Sequence, residues 1–169
     1  MPDAVLIAGA NGAGKTTFAM NFVPRTFPAA EFLNADEIQQ EGDAPISPMA
    51  AGREVLRRLA GHLERREDFA VETTLSSEGY ARMFPAWRAR GYRITLHYLE
   101  VRSADFAVAR VARRVAAGGH AIPEDDIRRR HARGLALFER VYRPAVDVWY
   151  HYLVDEQGPR RVDQSQNAD

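Results

Sequence analysis

Val5-Leu6-Ile7-Ala8-Gly9-Ala10-Asn11-Gly12-Ala13-Gly14-Lys15-Thr16-Thr17 is the stretch that decides the fold. The apolar run Val5 to Ala8 reads as a short, fully buried strand that stops at Gly9. Gly9 through Thr16 then satisfies G-x-x-x-x-G-K-[ST] at every fixed position. Its glycines permit positive φ, so the backbone can turn its N–H groups inward around an anion. A helix predicted from Gly14 to Val23, stopped by Pro24, aims the positive end of its dipole at the same point. That strand–loop–helix context separates a phosphate-binding loop from a chance glycine-rich turn. Gly9, Ala10, Asn11, Gly12, Ala13, Gly14 and Thr17 are therefore expected to cradle phosphates, with Lys15 reaching the β and γ groups and the Thr16 hydroxyl ligating Mg²⁺.

Composition sharpens this. Of 23 basic residues only Lys15 is lysine; the rest are arginine. A phosphate loop needs a slim point charge where a planar guanidinium fork does not serve, and the one lysine stands there. The same fact excludes the Asn-Lys-x-Asp sequence of guanine-specific switches, which leaves ATP as the expected nucleotide. Acids also number 23, so net charge is zero and nothing in the charge asks for a nucleic acid or a membrane. The absence of cysteine excludes disulfides and zinc–thiolate sites. No basic leader precedes an apolar run of signal-peptide length, so the expected location is the cytoplasm.

Outward from the loop, short apolar runs alternate with helical periodicity. Strands are predicted at Glu31–Asn34, Phe69–Val71, Tyr92–Val101 and Val148–Val154. Helices are predicted from Met49 to Glu67, from Ser77 to Arg90 with an interruption near Pro85, from Ala104 to Ala117, and from Pro123 to about Tyr142. This alternation predicts an α/β fold of three layers, with a mostly parallel, five-stranded sheet flanked by helices. One domain over residues 1–155 is expected, followed by a polar, frayed tail over 156–169.

Ligands of open α/β sheets sit beyond the carboxyl ends of the strands. There the sequence offers Asp36, the pair Glu72 and Thr74, and Glu100. Phosphoryl transfer to an alcohol needs a carboxylate to accept the hydroxyl proton, and Asp36 is the candidate base; the alternative is that it only caps the next helix. Glu72 is read as a metal ligand, through water, or as a substrate contact, and Thr74 as a donor to either. Around Gly118-Gly119-His120 lie two Arg-bearing helices, with Arg110, Arg113 and Arg114 on one and Arg128, Arg129 and Arg130 on the other. Residues from about 104 to 133 read as a helical, Arg-rich lid whose cations would close over the γ-phosphate, with His120 as a lid contact.

Together these motifs resemble the zeta-toxin family of P-loop kinases, in its short form. The carrying residues are Gly9 to Thr17, Asn34-Ala35-Asp36-Glu37-Ile38, Glu72-Thr73-Thr74, and Arg110 through Gly118-Gly119-His120-Ala121-Ile122-Pro123 to Arg130. The resemblance implies a P-loop kinase fold and transfer of phosphate from ATP, with Mg²⁺, to the 3′-hydroxyl of UDP-N-acetylglucosamine. It implies Lys15, Asp36, Arg114 and Arg129 as catalytic residues, Arg110 beside the nucleotide, Thr16 and Glu72 at the metal, and Glu72, Thr74 and His120 toward the substrate. It also implies a protein antitoxin as partner. Glu-Thr-Thr stands where the large forms carry Glu-Gly-Thr, and the layout is shared with phosphotransferases that inactivate antibiotics such as chloramphenicol. Another small-molecule acceptor, or a nucleotide-binding regulatory module without transfer, are the alternative expectations.

Overall fold

The computed structural model describes residues 1–165. Strand β1 (Asp3–Gly9) lies in the middle of the sheet, bonded in parallel to β3 (Phe69–Thr73) on one side and β4 (Arg93–Val101) on the other. That position explains its unbroken apolar run. Ala4, Leu6 and Ala8 enter the core on one face, and Val5 and Ile7 the core on the other. A strand buried on both faces has no use for polar alternation.

The full order is β2-β3-β1-β4-β5-β6, with β2 at Glu31–Leu33, β5 at Val148–Asp155 and β6 at Gly158–Gln164. β2 to β5 run parallel to β1, and β6 returns antiparallel to β5. Helix α1 (Lys15–Thr26) joins α5 (Ala104–Ala116) and the start of α6 (Glu124–Leu137) over one face, through Ala19, Val23, Ala107, Val111 and Ile127. The other face is covered by α2 (Ala35–Gln39), α3 (Pro48–Arg65), α4 (Gly79–Ala89) and a π-helical turn at Phe138–Tyr142. The α/β, three-layer architecture is thus as expected, with a sixth strand added.

The sixth strand corrects the frayed-tail expectation for 156–169 as far as Gln164; residues 166–169 lie outside the described residues. Its sequence, Gly-Pro-Arg-Arg-Val-Asp-Gln, has no apolar period because it is an exposed edge, where charge suppresses unwanted pairing. Asp155 Oδ1 accepts from Gln157 N at 2.7 Å, and Gly158 takes φ +109°, which closes the turn.

Two prolines also act differently from expectation. Pro24 lies inside α1, and Pro85 inside an uninterrupted α4. An interior proline costs roughly 3 kcal/mol. Around Pro85, however, Phe84 and Trp87 are fully buried, and two such burials contribute roughly 1.5–3 kcal/mol each. Tertiary burial outweighs the local break.

Candidate active site

The loop between β1 and α1 is built by close approach. Gly9 has φ +151°, and a Cβ on it would stand 2.3 Å from the Leu99 carbonyl oxygen of β4. Gly12, at φ +81°, would bring a Cβ to 2.8 Å from the Ala107 carbonyl oxygen. Gly14, at φ +82°, leads into α1 with no side chain capping the helix. The first N–H groups of α1 are thereby left to an anion.

Lys15 is 6% exposed. Its Nζ donates to the Ala10 carbonyl at 3.1 Å and lies 3.6 Å from Glu72 Oε1. Burial pulls the ammonium pKa below its ordinary value, and the Glu72 and Asp36 carboxylates oppose that pull. Thr16 Oγ1 donates to Glu72 Oε2 at 2.7 Å. Asn34 Nδ2 donates to Glu72 Oε2 at 3.1 Å and to Thr16 Oγ1 at 3.3 Å, while its Oδ1 accepts from Asp36 N at 2.8 Å. The N-cap of α2 is therefore Asn34. Asp36 lies in the first helical turn, and its side chain lines the same cleft as Lys15, Thr16 and Glu72. The cleft has a volume of about 210 Å³.

Among the described residues no three His, Cys, Asp or Glu side chains form a metal cage. The donor set present, a threonine hydroxyl beside one carboxylate, suits instead a hard divalent cation that takes its remaining ligands from phosphates and water.

The Arg-rich region folds as α5 and α6 joined by residues 117–123. Arg110 and Arg114 line the cleft. Arg110 Nη1 donates to the Asp155 carbonyl at 3.4 Å, and Arg114 Nη2 to the His120 carbonyl at 3.2 Å. From α6 it is Arg130 that reaches the loop, donating to Asn11 Oδ1 at 3.2 Å. Arg129 is 64% exposed and bound to Asp126 at 2.8 Å. The choice between neighbouring arginines turns on a helical rotation of about 100° per residue, which spacing alone does not resolve. The His120 side chain is exposed. Thr74 does not line the cleft; its hydroxyl bonds the Ser76 hydroxyl at 2.9 Å. Glu100 pairs with His151 at 2.7 Å.

A second hollow, of about 420 Å³, adjoins the phosphate cleft through Gly14, Thr17 and Arg110. Phe18 and Phe22 of α1 wall one side, and Val154, Gly158 and Pro159 of the β5–β6 hairpin another. Its apolar walls and adjacency suit the nucleoside end of a nucleotide. Sequence reasoning missed this hollow because part of its wall, Gly158 and Pro159, belongs to a segment read as tail. Asn34 was legible as part of a motif, but its double role as cap and as partner of Glu72 needed the fold.

Residues 5–140 match the family described as an AAA domain, and the chain belongs to that family. Its six-stranded, mostly parallel sheet with flanking helices is the P-loop kinase fold. An uncharacterized protein of Haemophilus influenzae is 25% identical over 134 residues, which cover 76% of this chain and 91% of that protein. The AvrRxo1-ORF1:ORF2 complex with ATP contains a chain that superposes with a TM-score of 0.73 at 15% identity, over 97% of this chain and 58% of that one. The PezAT chromosomal toxin–antitoxin system of Streptococcus pneumoniae contains one that superposes with a TM-score of 0.64 at 16% identity, over 100% of this chain and 74% of that one. The chain spans only 46% to 58% of the length of the first solved chains that it matches. Among the described residues, no helix is long and apolar enough to cross a membrane.

Proposed function

We propose that the chain is an ATP- and Mg²⁺-dependent phosphotransferase that phosphorylates a hydroxyl of a sugar nucleotide, with the 3′-hydroxyl of UDP-N-acetylglucosamine as the leading acceptor. The observation that carries the reaction is the placement of Asp36 in one cleft with Lys15, Thr16 and Glu72, lined also by Arg110 and Arg114. The choice of acceptor rests on the sequence motifs alone; the likeness to a chain of a toxin–antitoxin system supports a protein partner, and the ATP present in the AvrRxo1 complex supports the choice of nucleotide.

In this reading the glycine backbone and the α1 N-terminus hold the β and γ phosphates, and Lys15 swings from the Ala10 carbonyl to their oxygens. Mg²⁺, when bound, neutralises phosphate charge beside Thr16. Asn34 holds Glu72 and Thr16 in register. Asp36 accepts the proton of the acceptor hydroxyl as its oxygen bonds the γ-phosphorus, and the bond from that phosphorus to the bridging oxygen of ADP breaks. Arg110, Arg114 and Arg130 stabilise the charge spread over the transferring group.

The test follows label from γ-³²P-ATP into UDP-N-acetylglucosamine and into a panel of other hydroxyl compounds, chloramphenicol included. Asp36→Asn should lower the transfer rate about 10²- to 10⁴-fold with little change in nucleotide affinity. Label entering only a non-sugar acceptor would replace the sugar nucleotide; an Asn variant as fast as the parent would remove Asp36 as the base.

A further inference from the structure

Gly118-Gly119-His120 follows α5 directly, and the imidazole of its histidine is exposed. The backbone of the segment is what engages the rest of the site. α5 ends in a Schellman closure, with Gly118 N donating to the Val115 carbonyl and Gly119 N to the Arg114 carbonyl, both at 2.9 Å. The two glycines stand there for different reasons. Gly118 has φ +92°, and a Cβ on it would meet nothing within 4 Å, so its glycine serves the left-handed turn. Gly119 does not take a positive φ, so its conformation does not demand a glycine. Its surroundings do. A Cβ on Gly119 would stand 2.7 Å from Arg114 Cγ and 2.9 Å from the Arg114 carbonyl oxygen.

In a Schellman closure the second residue beyond the helix faces the residue three places before the cap, and an apolar pair commonly fills that contact. Ala117 is the cap, so the facing residues here are Gly119 and Arg114. The arginine stem lies across the bare glycine backbone, and its tip turns back so that Nη2 donates to the His120 carbonyl at 3.2 Å. A neutral carbonyl restrains a guanidinium without neutralising it, so the charge stays available to an anion. The same side chain lines the phosphate cleft, and its charge is felt at Lys15.

We infer that Gly119 is the positioning residue for Arg114: by lacking a side chain it lets the arginine stem fold over the end of α5 and holds the guanidinium toward the terminal phosphate of a bound nucleoside triphosphate. The His120 carbonyl is the second point of that hold. An exposed arginine otherwise samples many rotamers and loses this freedom when it grips a ligand. Anchoring at the turn removes part of the loss before the nucleotide arrives. ATP and ADP differ by the phosphate in question, so the hold is read as a preference for ATP. The inference rests on the nucleotide part of the function proposed above and is independent of the acceptor.

Calorimetry with Mg²⁺ and either ADP or the non-hydrolysable imido analogue of ATP measures that preference with no acceptor present. Arg114→Ala should lower the ratio of analogue affinity to ADP affinity about tenfold, because one charge-assisted contact to the γ-phosphate is lost. Gly119→Ala should lower the ratio at least about fivefold, with ADP affinity within about twofold of the parent and a cooperative urea transition retained. Gly118→Ala strains the same turn without crowding Arg114, so it should cost stability and keep the ratio within about twofold. The double variant is decisive: once Arg114 is alanine, Gly119→Ala should change the ratio no further, whereas a purely structural turn would lower it again by the same factor. The inference is overturned if Gly119→Ala keeps the parent's ratio, if the two effects multiply, or if Gly118→Ala lowers the ratio as far as Gly119→Ala does. A parent that binds both nucleotides equally well also overturns it, by taking Arg114 off the γ-phosphate, and leaves Asp36 to be judged by the transfer assay; a parent that binds neither nucleotide removes the nucleotide reading itself and the inference with it.

Discussion

Single residues fix the phosphate loop. Gly9 has neither the φ nor the room for a side chain, since a Cβ would sit 2.3 Å from a backbone oxygen of β4. Gly9→Ala should lower stability by about 2–4 kcal/mol, from overpacking and backbone strain together, as read from the urea midpoint. Lys15 is equally constrained, wedged between the Ala10 carbonyl and Glu72. Lys15→Arg keeps the charge but puts a planar fork where a point charge fits. We expect ATP affinity to fall at least about tenfold by calorimetry; unchanged affinity would mean that charge alone matters at this position. Both positions were fully legible in the sequence, because a motif dictated by backbone geometry leaves its mark residue by residue. Arg130 was not. Which arginine of Arg128-Arg129-Arg130 turns toward Asn11 depends on how α6 is rotated against the sheet, and that is set by the burial of Ile127 and Gly134.

Elements carry the next level of constraint. Asn34 starts α2 with its oxygen and steadies Glu72 and Thr16 with its nitrogen. Asp serves as an N-cap about as well as Asn but cannot donate. Asn34→Asp should therefore keep stability within about 0.5 kcal/mol of the parent in helix capping while slowing phosphoryl transfer, whereas Asn34→Ala should also lose about 1 kcal/mol of stability. If both variants transfer phosphate as fast as the parent and only the Ala form is destabilised, the nitrogen has no part in the site. Strands with apolar runs and helices with clear periodicity could be read from the chain, as β1 and α3 show. What could not be read were elements held by their neighbours: α4 through Pro85, α1 through Pro24, and β6 with its charged edge.

At the scale of the whole molecule, the sheet contains a pH liability. The His97 pKa is pushed down to about 3 in the folded chain by burial, from an ordinary value near 6.5. The neutral form is the one that folding favours, so its contribution is complete above about pH 6.5 and is lost progressively as pH falls toward 3. Across that window the loss approaches about 1.4 kcal/mol for each pH unit. Unfolding free energy measured from pH 7 to pH 4 should decline, and His97→Phe should flatten that decline; a variant with the parent's slope would assign acid sensitivity to other groups. The hairpin that closes the sheet makes a further prediction. Ending the chain after Asp155 removes β6 and, with Gly158 and Pro159, part of the hollow beside the loop. ATP affinity should drop although the phosphate motif is intact; an unaffected affinity would remove the hairpin from the nucleotide site.

The buried Lys15 has a practical consequence. A protease that cuts only after lysine finds one susceptible peptide bond in the chain, and that bond lies inside the loop that grips phosphates. Scission there requires the loop to open, so the rate of cutting is a clock for local opening of this one loop. A nucleotide that settles in the loop stops the clock, and an amine-reactive reagent applied to the folded chain marks the same side chain only in the intervals when it comes free.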